Sequence, residues 1–187
     1  MKKFLVVAGL LLASVPGFSQ MNKGEWSLIP KVGVNIATMT NSDDADCRVG
    51  LAIGAEAEYY TSVDWLSISA AAKYEQLGFK FKDNSDPTKL DYINIPIMAN
   101  FYVAKGFALK IGLQPGFLVN AKAESVDNKD AFESFNLSMP IGLSYEFKNG
   151  ITLDLRGTPG LTAVNKNSNS DWKLRSDCST LTIGYKF

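Results

Sequence analysis

The chain has 187 residues, with 19 basic and 19 acidic side chains, a formal charge of zero and no histidine. That length allows one domain or at most two small ones, and the charge balance supplies no single-signed field of the kind a nucleic-acid binder carries. Without histidine, imidazole has no part in catalysis or metal binding, and the commonest general base is missing.

The first twenty residues have a basic start (Lys2, Lys3), an apolar run from Phe4 to Val15, and small residues at Gly17 and Ser19. This is the pattern of a secretory signal peptide covering residues 1–19, which leaves 20–187 as the mature chain. The run is short of the roughly 20 residues of a spanning helix. Cleavage removes Lys2 and Lys3 and no acid, so 17 basic and 19 acidic residues remain, a charge of −2. No later apolar run approaches the length of a spanning helix. A membrane-inserted mature chain must therefore be a closed β-barrel, the other structure that satisfies every backbone group in lipid.

Residues 26–40 alternate, with Trp26, Leu28, Val32, Val34 and Ile36 on one face and Ser27, Lys31, Gly33 and Asn35 on the other. After a polar loop at 41–46, Val49, Leu51, Ile53 and Tyr59 oppose Gly50, Gly54, Glu56, Glu58 and Tyr60. A turn at 62–64 leads to Leu66, Ile68, Ala70, Ala72 and Tyr74 against Ser67, Ser69, Lys73 and Glu75. Near Gln76 and Leu77 the apolar phase slips by one, which predicts a β-bulge or a strand rising out of the membrane. Residues 92–121 form one long hairpin around a turn at 104–106: Ile93, Ile95, Ile97, Phe101, Leu109, Ile111, Leu113 and Phe117 share the apolar face. Each arm exceeds the usual five or six residues of a globular strand and suits the roughly 9–11 tilted residues that cross a bilayer. A sixth segment at 135–147 and a seventh at 151–161 flank Asn149-Gly150, a strong hairpin signal. The last segment alternates Leu181, Ile183, Tyr185 and Phe187 with Thr180, Thr182, Gly184 and Lys186.

Short connections near 62–64, 104–106 and 148–150 alternate with longer polar ones near 41–47, 82–89, 122–131 and 164–176. The predicted fold is all-β: an eight-stranded, antiparallel, up-and-down transmembrane β-barrel with short periplasmic turns and longer outer loops. Its periplasmic rim gathers Trp26, Tyr59, Trp65, Phe101, Phe107, Tyr145, Phe147, Tyr185 and Phe187, with Tyr60 and Tyr102 at the same level, as an aromatic girdle. Phe79, Phe81, Tyr92, Phe117, Phe132 and Phe135 fall toward the other rim.

The polar face carries Lys31, Glu56, Glu58, Lys73, Glu75, Lys110, Glu146, Asp154, Arg156 and Lys186. Five cations and five carboxylates form a balanced set that a small lumen can pair. A soluble barrel with an apolar interior would put these charges outside and would have no reason to sort its rings into girdles. Eight strands leave a lumen filled by side chains, so a charge network that packs the barrel is expected ahead of a narrow conduit for ions or small solutes.

Cys47 and Cys178 fall at the outer ends of the second and eighth strands in an oxidising compartment. A disulfide between them, two free thiols and an intermolecular bond all remain open. Asn41, Asp43, Asp44 and Asp46 offer oxygen ligands for a divalent cation, but without the glycine and distal glutamate of an EF-hand loop they read as a solvated polar loop. Trp172 is read as a girdle or loop-packing residue before a partner anchor.

The runs Leu90-Asp91-Tyr92-Ile93-Asn94-Ile95-Pro96-Ile97 and Leu109-Lys110-Ile111-Gly112-Leu113-Gln114-Pro115-Gly116, with 141–150 and the terminal Gly184-Tyr185-Lys186-Phe187, resemble the small outer-membrane β-barrels common in Bacteroidetes, labelled porin-family or PorT-like. The resemblance spans the mature chain and implies no catalytic motif and no cofactor. Phe187 is similar to the terminal aromatic recognised by barrel-assembly machinery. Eight-stranded barrels that act on lipids use histidine, which this chain lacks, so an enzyme is not expected. The expected protein is a monomeric, non-enzymatic barrel of the bacterial outer membrane, with a structural or surface-interaction role and a side-chain-filled polar lumen. Its expected partners are outer-membrane lipid, lipopolysaccharide, the assembly machinery and a surface or envelope ligand, with no nucleic acid. The alternatives are a narrow channel or an accessory component of a transport or secretion complex.

Overall fold

The computed structural model describes residues 23–40, 45–81, 88–123, 126–127, 132–164 and 175–187. The leader at 1–19, the loop residues Asn41, Asp43 and Asp44, and Trp172 lie outside the described residues. So do the side chains of Asp46, Phe79 and Phe81.

Among the described residues there are eleven strands: β1 (Trp26–Thr40), β2 (Ala45–Tyr60), β3 (Leu66–Phe81), β4 (Thr88–Asn94), β5 (Ile97–Ala104), β6 (Phe107–Ala123), β7 (Val126–Asp127), β8 (Phe135–Ser138), β9 (Ile141–Glu146), β10 (Ile151–Pro159) and β11 (Arg175–Tyr185). They make the eight staves that the hydrophobic pattern predicts. The difference in count has a local cause. Pro96 and Pro140 have no N–H to give the ladder, so the stave β4–β5 is interrupted at Ile95-Pro96 and the stave β8–β9 at Met139-Pro140. The two-residue β7 adds a small hairpin onto the outer end of β6.

All pairings are antiparallel, and the sheet closes on itself. Val32 of β1 lies opposite both Ile53 of β2 and Ile183 of β11, so the first and last staves meet and no edge is left. Closure removes the row of unpaired backbone groups that an open sheet would present to hydrocarbon. At the short-turn end, Gly106 and Gly150 take φ of +77° and +83°, a conformation that glycine adopts without strain. Asn149 Oδ1 accepts the Ile151 N–H at 3.2 Å, which fastens the Asn-Gly turn.

Side chains alternate across the wall as the strand period dictates. Val32, Val34 and Ile36 are exposed while Lys31, Asn35 and Ala37 are enclosed. The same inversion runs around the barrel, with Ile97, Leu113, Leu155 and Leu181 outward and Lys110, Gln114, Arg156 and Thr180 inward. An exterior this apolar is far larger than the patch a soluble monomer tolerates, and it matches a lipid-facing band. Gly157 leaves a shallow groove of about 490 Å³ in that band, bordered by Leu109, Ile111, Ile141, Leu143 and Leu155.

At the short-turn end, rings pair along the rim: Trp26 with Tyr59 at 5.0 Å, Trp65 with Phe101 at 6.0 Å, Tyr145 with Phe147 and Tyr185 with Phe187 at 4.8 Å. Phe107 lies opposite Tyr145. Tyr60 and Tyr102 sit at this level but turn inward, and their hydroxyls are 3.1 Å apart inside the barrel.

The interior is not polar throughout. Toward the long-loop end Leu77, Leu90, Tyr92, Leu118, Ala121, Phe132 and Val164 form an enclosed apolar cluster with Ala37 and Cys178. The phase slip at Leu77 marks this change. A register shift does fall there, between Cys47 and Ala52 of β2 as they face β3. The β3–β4 pairing runs through unbroken, Leu77 opposite Leu90, so Leu77 stays on the inner face and the interior itself turns apolar. Tyr92 and Phe132 accordingly belong to the plug and not to an outer girdle.

A closed, edge-free sheet should resist detergent at room temperature. Purified protein is expected to migrate as two species, compact unboiled and extended after boiling, and to fractionate with the outer membrane. A single heat-insensitive band would contradict closure.

Candidate functional site

The polar part of the lumen contains the functional candidates, arranged in three tiers. In the middle tier Glu56 of β2 and Asp154 of β10 face three cations, and each cation touches both carboxylates. Lys31 Nζ lies 2.8 Å from Glu56 and 3.1 Å from Asp154. Lys110 Nζ lies 2.6 Å and 3.3 Å from the same two groups. Arg156 reaches Glu56 through Nη2 at 2.6 Å and grips Asp154 through Nε at 2.5 Å and Nη2 at 2.7 Å. The five residues come from β1, β2, β6 and β10, so the cluster staples staves across the barrel. All five are buried.

The lower tier centres on Glu58. Its carboxylate accepts Tyr102 Oη at 2.7 Å, Asn100 Nδ2 at 3.0 Å, Tyr60 Oη at 3.2 Å and the Ser67 hydroxyl, with Lys186 Nζ at 3.5 Å. Lys186 also donates to Glu146 at 2.5 Å and to the Tyr60 hydroxyl, and lies 4.6 Å above the Tyr60 ring. In the upper tier Lys73 meets Glu75 at 2.9 Å, and Asn94 Nδ2 donates to Glu75 at 2.5 Å. The cavity left among Lys31, Glu58, Tyr102, Lys110, Glu146 and Lys186 has a volume of about 10 Å³. That admits about one water and no more.

Between the upper tier and the plug, the amides of Asn94 and Asn136 close over Gly116, which lies between them in the register. Each Oδ1 is 2.3 Å from where a Gly116 Cβ would stand. Glycine is needed here because two side chains already occupy its Cβ space.

All ten charged residues singled out in the sequence lie in the lumen and are joined in these three tiers. Sequence reasoning missed the neutral partners Ser67, Asn94, Asn100, Tyr60 and Tyr102. All five occupy the same phase as the charges, so alternation places them on the inner face, but it does not say which carboxylate each one meets.

The disulfide considered for Cys47 and Cys178 does not form. Cys178 is buried, with Sγ 3.4 Å from Thr180 Oγ1, whereas Cys47 is exposed. Cys178 pairs with Ala37, and Ala37 pairs with Arg48, so Cys47 is one residue out of phase and lies on the other side of the wall. Chain position brings the thiols to the same end of the barrel, and alternation separates them.

The tiers hold the barrel together by joining side chains from separate staves. The carboxylates of Glu56, Glu58, Glu75, Glu146 and Asp154 are all engaged, and the Ser67 and Tyr102 hydroxyls donate to Glu58. Among the described residues, no group of three or more cysteine, aspartate or glutamate side chains could hold a metal ion.

A closed antiparallel barrel with an apolar exterior, a ring girdle and an ionic interior defines the class of outer-membrane β-barrels. Residues 18–165 match the outer membrane protein β-barrel domain family, and the chain belongs to that family in the bacterial outer membrane. No curated protein matches the sequence. The fold is similar to that of Neisserial surface protein A, with a TM-score of 0.59, 18% identity and coverage of 86% of this chain and 97% of that one. It is also similar to Ail, the attachment invasion locus protein of Yersinia pestis, with a TM-score of 0.54, 13% identity and coverage of 89% and 100%. A second Ail structure, in complex with the heparin analogue sucrose octasulfate, gives 0.53, 14%, 89% and 100%. At these identities the likeness is one of fold.

Removing one member of a buried ion cluster leaves the rest uncompensated, a cost of about 3–5 kcal/mol. Arg156→Met should therefore lower the unfolding midpoint in lipid vesicles by that order, and an unchanged midpoint would remove the cluster from its stabilising role. Gly116→Val should destabilise the barrel by driving apart Asn94 and Asn136; a neutral effect would show that the space is not filled. In the folded protein, a small apolar maleimide should label Cys47 and spare Cys178, and denaturation should expose two alkylatable thiols.

Proposed function

We propose that the protein is a non-enzymatic outer-membrane barrel whose role is structural or one of surface interaction, carried by its loops and not by its lumen. One observation bears this reading. The three tiers of paired charges fill the cross-section, and the cavity among the lower and middle ones is about 10 Å³, too small for a solute or a hydrated ion to pass. An eight-stave barrel has no further room to give. The absence of histidine from the whole chain supports a non-enzymatic role. The strand ends that flank the long connections, at Thr40, Phe81, Ala123 and Arg175, lie at one end of the barrel, and the connections are the part of the chain that would meet lipopolysaccharide or a host or envelope partner. The attachment role printed in the name of Ail is consistent with a surface role on this fold.

We further infer that residues 1–19 are a cleaved signal peptide, that the mature barrel is a monomer inserted by the assembly machinery, and that it is akin to the porin-family or PorT-like barrels of Bacteroidetes. The sequence runs 90–97 and 109–116 support that kinship.

In planar bilayers the purified barrel should be electrically silent. A reproducible unitary conductance that disappears in Glu56→Gln or Arg156→Met would place it instead among narrow channels.

A further inference from the structure

The lipid-facing wall is hollowed at Gly157. Leu109, Ile111, Ile141, Leu143 and Leu155 border the groove of about 490 Å³, and the side chains that line it are hydrocarbon. Gly157 faces outward between the buried Arg156 and Thr158, and its φ is not positive. A Cβ built there meets only the Ile141 carbonyl oxygen, 4.0 Å away. At Gly112 and Gly142 the same atom would collide with a neighbouring carbonyl oxygen. Backbone packing therefore demands glycine at those two positions and leaves Gly157 free to carry a side chain. Glycine weakens a strand interior, and one that the backbone does not require marks a place where something outside the strand comes close.

The groove spans two hairpins, β5–β6 and β9–β10, and the turn of each presents an exposed lysine, Lys105 and Lys148. Glu146 N–H donates to the Gly106 carbonyl at 2.7 Å, so the two turns adjoin. Neither lysine joins an ion pair among the described residues, whereas Lys23, beside the 62–64 turn, is held by Asp64 at 2.7 Å. Between this rim and the groove stand Phe107, Tyr145 and Phe147, rings of the headgroup level. Gly157 pairs with Ile141, seven residues before Lys148. At about 3.4 Å per residue and a tilt of about 40°, that is roughly 18 Å from the rim. The groove therefore lies near the midplane of a hydrocarbon core about 30 Å thick, where the acyl chain of a lipid at the rim ends.

We propose that this face is a binding site for an anionic phospholipid of the periplasmic leaflet. Its phosphodiester lies between Lys105 and Lys148, and one acyl chain runs past Tyr145 and Phe147 into the groove at Gly157. Two observations select that occupant. The groove is continuous with the band that already meets bilayer hydrocarbon, so a chain enters it without crossing water. The two unpaired cations complement a negative headgroup, as juxtamembrane lysines do at anionic lipid. A second barrel docked about a twofold axis would instead bring its own two lysines to the same rim. The site is independent of what the loops bind.

The test places the isotope-labelled full barrel in phosphatidylcholine nanodiscs with a small fraction of phosphatidylglycerol, a nitroxide being carried at the chain end of one lipid or the other. Spin-labelled phosphatidylglycerol should broaden the NMR signals of Gly157 and Ile141 well beyond those of Val32 and Ile53 on the opposite wall. Spin-labelled phosphatidylcholine should broaden all four alike. Lys105→Gln and Lys148→Gln should each lower the preference for phosphatidylglycerol about fivefold, the factor one lysine supplies at an anionic membrane surface. Gly157→Leu should fill the groove and remove the excess broadening while the heat-shifted gel band is kept; if that variant fails to insert, the lysine variants decide alone. Equal broadening by the two lipids, or a preference that survives loss of both lysines, would overturn the proposal. So would a dimer that Gly157→Leu dissociates, since the groove would then belong to a second copy.

Discussion

The interlocking of Glu56 and Asp154 with Lys31, Lys110 and Arg156 is the contact on which the barrel's interior depends. Each cation is shared by both carboxylates, so no single ion pair can be loosened without disturbing the other members. Buried charges are expensive to desolvate, and such a group is tolerable only when partners and hydrogen bonds are nearly complete. The lower tier follows the same rule: Glu58 gathers four neutral donors besides Lys186. An ionic core of this kind ties distant staves together without adding apolar bulk to the lumen.

The exterior follows from the opposite requirement. Hydrocarbon accepts no charge and no unpaired backbone group, so closure of β11 onto β1 and an outward set of valines, leucines and isoleucines are two faces of one constraint. Within that shell the lumen is layered. Most charges gather toward the short turns, Glu75 and the amides of Asn94 and Asn136 follow, and Tyr92, Leu118 and Phe132 lie toward the long loops. A solute crossing this lumen would have to displace paired ions and then an apolar stopper.

Strand period made most of this legible in advance. Phase alone separates Val32 from Lys31 and Leu155 from Arg156, and the same phase collects all ten lumenal charges on one face. It fails where a side chain is neither clearly polar nor clearly apolar in context. Tyr60 and Tyr102 look like girdle residues by height and are lumenal by face. Tyr92 and Phe132 look like an outer girdle and are plug. The slip at Leu77 marks both a register shift, which falls on the facing strand between Cys47 and Ala52, and a change in what the interior contains.

The sequence by itself determined the inversion of the barrel, the eight staves and the identity of the charges inside, because a two-residue period and alternating loop lengths are local properties of the chain. Only the tertiary structure decided which charges meet, since Glu56 and Arg156 are a hundred positions apart and their encounter depends on closure and register. It also decided that Cys47 and Cys178 stay apart and that two amides fill the space over Gly116. Each of these is set by how neighbouring staves are staggered, a quantity that no single strand records.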